Sequence, residues 1–190
     1  MKIVCSVGVE EMMTAAPNVL VLPERTTTQE IRDATTCWPN AIIVGATEEG
    51  RHIRGHLVRN GIDYIDYLKF SHDGVSCGAG SVPASLTFAD SAVAVGVLIC
   101  RDFQQADMRR VVMDRLAATQ ASLRLVCIPA DMGSEWFPGD QVALFGGAYL
   151  AVSNNRRTSS DTRRGSFIAG PDGACLVQQL RHEAIVFETP

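Results

Sequence analysis

The chain has 190 residues, 46% of them hydrophobic and 20% charged, a balance that belongs to a globular protein and excludes a disordered one. Its formal net charge of −4, from 17 basic and 21 acidic side chains, gives no electrostatic case for nucleic acid as a partner. The uncharged apolar run Ala92–Cys100 is nine residues, far short of the roughly 20 that cross a membrane.

A chain of this length suits one domain, residues 1–190. Glu10 and Glu11 follow Lys2 too soon for a secretory leader. The six cysteines (Cys5, Cys37, Cys77, Cys100, Cys127 and Cys175) form no CxxC pair. That scatter predicts reduced thiols in a cytoplasmic setting, with neither a disulfide framework nor a zinc site.

In chain order, Lys2–Gly8 reads as a first strand, Val9–Ala15 as two helical turns, and Asn18–Leu22 as a second buried strand that Pro23 ends. Glu24 follows one step beyond it, where a carboxylate is ordinarily a solvated loop residue. Thr26–Thr36 predicts a short helix with a Thr N-cap and Gln29 or Glu30 placed for a capping box. Ala41–Ala46 is another buried strand. Arg51–Val58 and Ile62–Phe70 predict a hairpin turning at Asn60-Gly61, the strongest short hairpin signal in the chain. Alternation in its second strand puts Asp63, Ile65, Tyr67 and Lys69 on one face. Lys69 therefore either snorkels to an edge or is placed for use.

Ser71–Pro83 is a loop. Ala92–Cys100 is a Val-rich, fully buried strand that stops at Arg101 and Asp102. Gln104–Gln120 then reads as an amphipathic helix with Met108, Val111, Val112 and Leu116 on its apolar stripe and Asp107 in its first turn. Leu123–Ile128 is a strand closed by Pro129, and Asp131–Asp140 a loop carrying Trp136 and Phe137. A strand over Gly147–Ser153 and a polar loop with four arginines over Asn155–Gly165 follow. Ser166–Ala169 and Ala174–Leu180 form a hairpin around Pro171-Asp172-Gly173, and Ala184–Phe187 is the last strand. The order predicts an α/β protein with mixed strands and no visible internal repeat.

A cysteine at the end of a buried strand, just before a helix, sits where open α/β sheets place ligands and reactive groups. An isolated cysteine there more often packs, however, and Cys5, Cys127 and Cys175 read as core. His52 and His56 lack a nearby third ligand and are expected on a solvated strand edge, with no metal. No Gly-rich phosphate loop follows the first strand, which disfavours a flavodoxin-like module; no cofactor is expected.

Glu24 after strand two, Lys69 in Tyr67-Leu-Lys69 and Cys100 in Leu-Ile-Cys100-Arg-Asp, in that order and each at a strand end, resemble the carbon–nitrogen hydrolase (nitrilase) superfamily. Ile43-Val-Gly45 with Glu48, Asp107, Leu125-Val-Cys-Ile-Pro129, Ala148–Asn154 and Gly165–Gly173 extend the resemblance over nearly the whole chain. It implies a short member with a four-layer α-β-β-α sandwich. It also implies a small linear amide or carbamoyl substrate hydrolysed through a thioacyl intermediate on Cys100. In that scheme Glu24 is the general base, a role typically worth about 10²–10⁴-fold. Lys69 and the backbone N–H of Arg101 stabilise the oxyanion. A homodimer through the Gln104–Gln120 helix is likewise implied.

The chain departs from the family pattern in five respects, one being that the helix before Ala148 is trimmed to something like Gly139–Phe145. It is shorter than most members, and between Lys69 and Cys100 only Asp73 and Asp90 stand in for a second glutamate. Arg101 replaces an aromatic residue, and Ala106 replaces a proline. The competing expectation is a relative that kept the triad as a non-catalytic binding or scaffold protein.

Overall fold

The computed structural model describes residues 1–6, 16–50, 52–65, 67–69, 71–72, 75–76, 87–131, 142–154, 166–179 and 184–190. The expected turns of Val9–Ala15, most of the Ser71–Pro83 loop including Asp73, the residues Trp136 and Phe137, and the arginine-rich loop lie outside them.

The elements are β1 (Lys2–Cys5), β2 (Val19–Glu24), α1 (Thr28–Cys37), β3 (Ile42–Glu49), β4 (His52–Arg59), β5 (Ile62–Asp63), β6 (Tyr67–Leu68), β7 (Ser71–His72), β8 (Val75–Ser76) and β9 (Thr87–Ala89). They continue with β10 (Val93–Val97), a 3-10 turn (Cys100–Gln104), α2 (Ala106–Ala117), β11 (Leu123–Ala130), a 3-10 turn (Ala143–Phe145), β12 (Tyr149–Asn154), β13 (Ser166–Ala169), β14 (Cys175–Gln179) and β15 (Ile185–Glu188). Among the described residues, one sheet runs β15-β1-β2-β3-β4-β5, with β6 also on β4, and a second runs β14-β13-β12-β11-β10-β9.

The two sheets repeat one plan. β1, β2 and β3 are parallel, and β4 returns antiparallel beside β3. β10, β11 and β12 are parallel, and β13 returns antiparallel beside β12. The parallel strands are buried on both faces, which is why they read as continuous apolar runs. Ile3, Val19, Val21, Ile42 and Val44 belong to the core that the first sheet shares with the second. Their neighbours Val4, Leu20, Leu22 and Ile43 pack on the other face with Ile31 and Ala34 of α1. α2 covers the outside of the second sheet, so tightly that a Cβ on Gly96 would lie 2.4 Å from Val112 Cγ1. Helix, sheet, sheet, helix: the expected four layers are present.

α1 carries the predicted capping box, with Thr27 as N-cap and Glu30 as its partner. The Asn60-Gly61 turn has positive φ at both residues, 52° and 76°, as a type I′ hairpin requires. The strand after it is broken, because Asp63 turns to accept from the N–H of Leu57 at 3.1 Å and to bind His56. Ile65, Tyr67 and Lys69 are buried together as alternation predicted, whereas Asp63, expected on the same face, is exposed.

Several expectations are corrected. Pro23 does not end the second strand: β2 runs through it to Glu24, and the register against β3 shifts between Val21 and Glu24. That irregularity accommodates a residue without an N–H. Pro129 likewise lies inside β11, opposite Ser153. The central strand ends at Val97, and α2 starts at Ala106, because the chain between them makes a 3-10 turn beginning at Cys100. Cys175 is exposed, since β14 is the outermost strand of its sheet; Cys5 and Cys127 are fully buried as expected. His56 is not on a solvated edge. It lies between Thr47 Oγ1 at 2.9 Å and Asp63 Oδ2 at 2.7 Å, while His52 is exposed. Among the described residues no group of His, Cys, Asp and Glu is arranged to hold a metal ion, and no helix is long and apolar enough to cross a membrane.

Candidate active site

Glu24 ends β2, Cys100 follows β10, Asp131 follows β11 and Lys69 follows β6. The parallel ladders of both sheets therefore deliver their C-terminal ends to one place, the position at which α/β sheets build sites. Ser153 Oγ, donating to the Ser6 carbonyl at 3.0 Å, ties the two sheets together at this end.

Glu24 is buried, with 3% of its surface exposed, and Lys69 with 7%. The Lys69 Nζ donates to Glu24 Oε1 at 2.7 Å. The solvated-loop expectation for Glu24 fails for this reason, and so does snorkelling for Lys69. The turn after Glu24 is fixed by the Thr26 N–H donating to the Ala46 carbonyl at 3.0 Å and by Thr26 Oγ1 donating to the Pro23 carbonyl at 2.8 Å. The Lys69 N–H donates to the Ile53 carbonyl at 2.8 Å, which anchors the other partner to β4.

Cys100 is 4% exposed and has φ of +47°, a left-handed conformation that costs a non-glycine residue roughly 1–2 kcal/mol. Strained residues of this kind cluster at functional sites. The Glu24 carboxylate and the backbone N–H of Asp131 both act on the Cys100 sulfur. Burial, and then the Glu24 charge, push the thiol up to about 12, against the opposing pull of Lys69 and the Asp131 N–H. At neutral pH it rests as a thiol. Burial by itself would lower Lys69, but Cys100, Glu24 and Asp102 outweigh it and hold the ammonium above its ordinary range. Lys69 is thus a fixed cation beside the sulfur.

The sequence reading left two residues beneath this trio without a role. The Tyr67 hydroxyl donates to the Asp102 carboxylate and accepts from the Ile99 N–H at 3.3 Å, and Tyr67 and Asp102 are both fully buried. Burial and the Asp102 charge raise the Tyr67 phenol well above its usual range. The pair clamps β6, which carries Lys69, to the turn that carries Cys100. No local sequence signal marks the pair, whose members lie 35 residues apart. Asp90 is not near the trio: it caps the start of β10 by accepting from the Ala92 and Val93 N–H groups at 2.8 Å and binds Arg59.

No family model and no curated protein matches this chain. Among solved structures it is similar to the NitN amidase from Nesterenkonia sp. AN1, at 17% identity and a TM-score of 0.71, over 100% of this chain and 93% of that one. A cysteine-to-alanine variant of that amidase in complex with butyramide matches at 18% and 0.71, over 100% and 91% of the two chains. A glutamate-to-glutamine variant, bearing the acetamide moiety of fluoroacetamide on its active-site cysteine, matches at 18% and 0.72, over 100% and 90%. That amidase is described as a member of the nitrilase superfamily. The present chain has the nitrilase-type fold.

Proposed function

We propose that this chain is a cysteine-dependent hydrolase of non-peptide carbon–nitrogen bonds, an amidase for a small linear amide or carbamoyl compound. The observation that carries this reading is the convergence of Glu24, Lys69 and Cys100: a buried carboxylate and a buried ammonium against a thiol on a strained turn.

Because the resting sulfur keeps its proton, Glu24 removes that proton as the sulfur attacks the carbonyl carbon, and no thiolate is stored beforehand. The Lys69 ammonium and the Arg101 backbone N–H receive the oxyanion of the tetrahedral intermediate. Glu24 next returns the proton to the departing nitrogen, and the carbon–nitrogen bond breaks to leave a thioacyl group on Cys100. Glu24 then takes a proton from water, whose oxygen attacks the thioester. The carbon–sulfur bond breaks, the acid leaves and the thiol is restored. These three groups form one coupled set of titrating sites. The likeness to an amidase whose cysteine is alkylated by fluoroacetamide supports the same chemistry here. The reading includes a single domain over residues 1–190, a cytoplasmic protein and a homodimer formed through α2.

The test is ammonia release from a series of short aliphatic amides, with fluoroacetamide as a covalent probe of Cys100. Turnover by the wild type, with a loss of at least about 10³-fold in Cys100→Ala and Glu24→Gln, is the expected result. A well-folded wild type that releases no ammonia and forms no Cys100 adduct overturns the amidase reading in favour of a binding protein.

A further inference from the structure

Arg25 stands directly after the proposed base, with φ of +64°, a conformation that favours glycine and that a long charged side chain adopts only when its surroundings hold it. Its Nε lies 3.4 Å from Asp131 Oδ2. The ion pair spans the two sheets, since Arg25 follows β2 of the first and Asp131 follows β11 of the second. Asp131 is the residue whose backbone N–H meets the Cys100 sulfur. The Asp131 side chain is 14% exposed and that of Arg25 43%. The carboxylate is thus largely withdrawn from water while the cation lies at the protein surface.

We propose that Arg25 and Asp131 form a latch that holds the Asp131 backbone N–H on the Cys100 sulfur and locks it to the turn bearing Glu24. They are positioning residues: neither contributes a side-chain atom to bond making. The inference rests on the reading of Cys100 as the nucleophile. Three groups act on the sulfur: Glu24, the Lys69 ammonium and the Asp131 N–H. The first two are held by their own ion pair. The N–H donor follows β11, whose last described ladder pair is Ala130 with Asn154. An N–H donor to sulfur stabilises the thiolate as it forms, and a donor that drifts loses that effect steeply with distance and angle.

The pairing also makes opposite predictions for two models of Asp131. If its carboxylate acts only as a nearby negative charge, removing that charge eases ionisation of Cys100. If it acts as the anchor of the latch, Asp131→Asn keeps the N–H but loses the tether, and ionisation becomes harder.

The experiment is the rate of iodoacetamide labelling at Cys100 against pH, mapped by peptide mass, for the wild type, Asp131→Asn, Arg25→Ala and Arg25→Lys. The kcat and KM of each variant are measured on the amide that the wild type turns over. The latch predicts that Asp131→Asn and Arg25→Ala raise the apparent thiol midpoint by about one pH unit and slow labelling below it about tenfold. kcat falls with KM unchanged, and Arg25→Lys recovers most of the loss. Melting temperatures close to the wild type separate this from unfolding; should Arg25→Ala melt early, the isosteric Asp131→Asn and the Arg25→Lys rescue decide alone. Labelling of Asp131→Asn that equals or exceeds the wild-type rate overturns the latch. A wild type that turns over amides while Asp131→Asn matches it sinks the latch only. A wild-type Cys100 no more reactive than the exposed Cys37, with no turnover, removes the nucleophile reading and the latch with it.

Discussion

The Lys69 ammonium meets the Glu24 carboxylate at 2.7 Å across 45 residues of sequence, with both side chains less than a tenth exposed. A pair withdrawn from water in this way is costly to break from one side, because the survivor is left as an uncompensated buried charge. Lys69→Ala should destabilise the protein by about 3–5 kcal/mol. The double variant Glu24→Gln/Lys69→Met, which removes both charges at similar volume, should cost clearly less. Urea unfolding of the three proteins measures this, and a double variant worse than Lys69→Ala would refute it.

The backbone at Cys100 makes a second, independent prediction. Alanine and glycine both delete the thiol, but only glycine is at ease at φ of +47°. Cys100→Gly should therefore be more stable than Cys100→Ala by about 1 kcal/mol, the relief of strain being partly offset by glycine's freedom in the unfolded chain. Both variants should be inactive. Equal unfolding midpoints would argue against strain at this turn.

Stability should fall in alkali. Cys100 is held up near 12 from an ordinary value of 9.0, and burial pushes Cys5, Cys127 and Tyr67 in the same direction. The unfolded chain gives up these protons at their usual values while the folded one keeps them. Stability is thus fully present below about pH 8 and drops as pH rises from 9 towards 12. The slope is roughly 1.4 kcal/mol per pH unit for each such group. The raised Lys69 contributes with the same sign. Urea midpoints at pH 7, 8, 9 and 10 test this; a flat profile through pH 10 would contradict it.

Where α2 crosses the second sheet there is no room for a side chain on Gly96. Gly96→Ala should cost about 1–3 kcal/mol by overpacking. Val112→Ala in the same protein should return part of that loss, although it is itself destabilising in a wild-type background. Thermal melts of the four-member cycle give the coupling directly, and additive losses would place the clash elsewhere.

The continuous apolar runs at β2, β3, β10 and β11, the Thr27–Glu30 box and the Asn60-Gly61 turn were legible in the sequence because each is a local signal. Its limits were also local. Prolines read as strand ends at positions 23 and 129, whereas a register shift or a place late in a ladder accommodates them. The repeated plan of the two sheets left no trace in the residues, since pairing order constrains topology and not sequence identity. Glu24, Lys69 and Cys100 could be singled out by residue type at strand ends. Tyr67–Asp102 and Arg25–Asp131 could not, because a hydrogen bond or an ion pair between residues 35 or more apart has no signature in either segment alone.

The two sheets, built on one plan and facing each other, divide the reactive constellation between them: Glu24 and Lys69 on one, Cys100 and Asp131 on the other. Neither half can hold chemistry by itself. During folding, loop closure across such separations comes late, so the parallel ladders of each sheet can form before Cys100 meets Glu24. The assembled trio is then the final feature to emerge, and under the proposed function recovery of activity after denaturation marks the docking of one half upon the other.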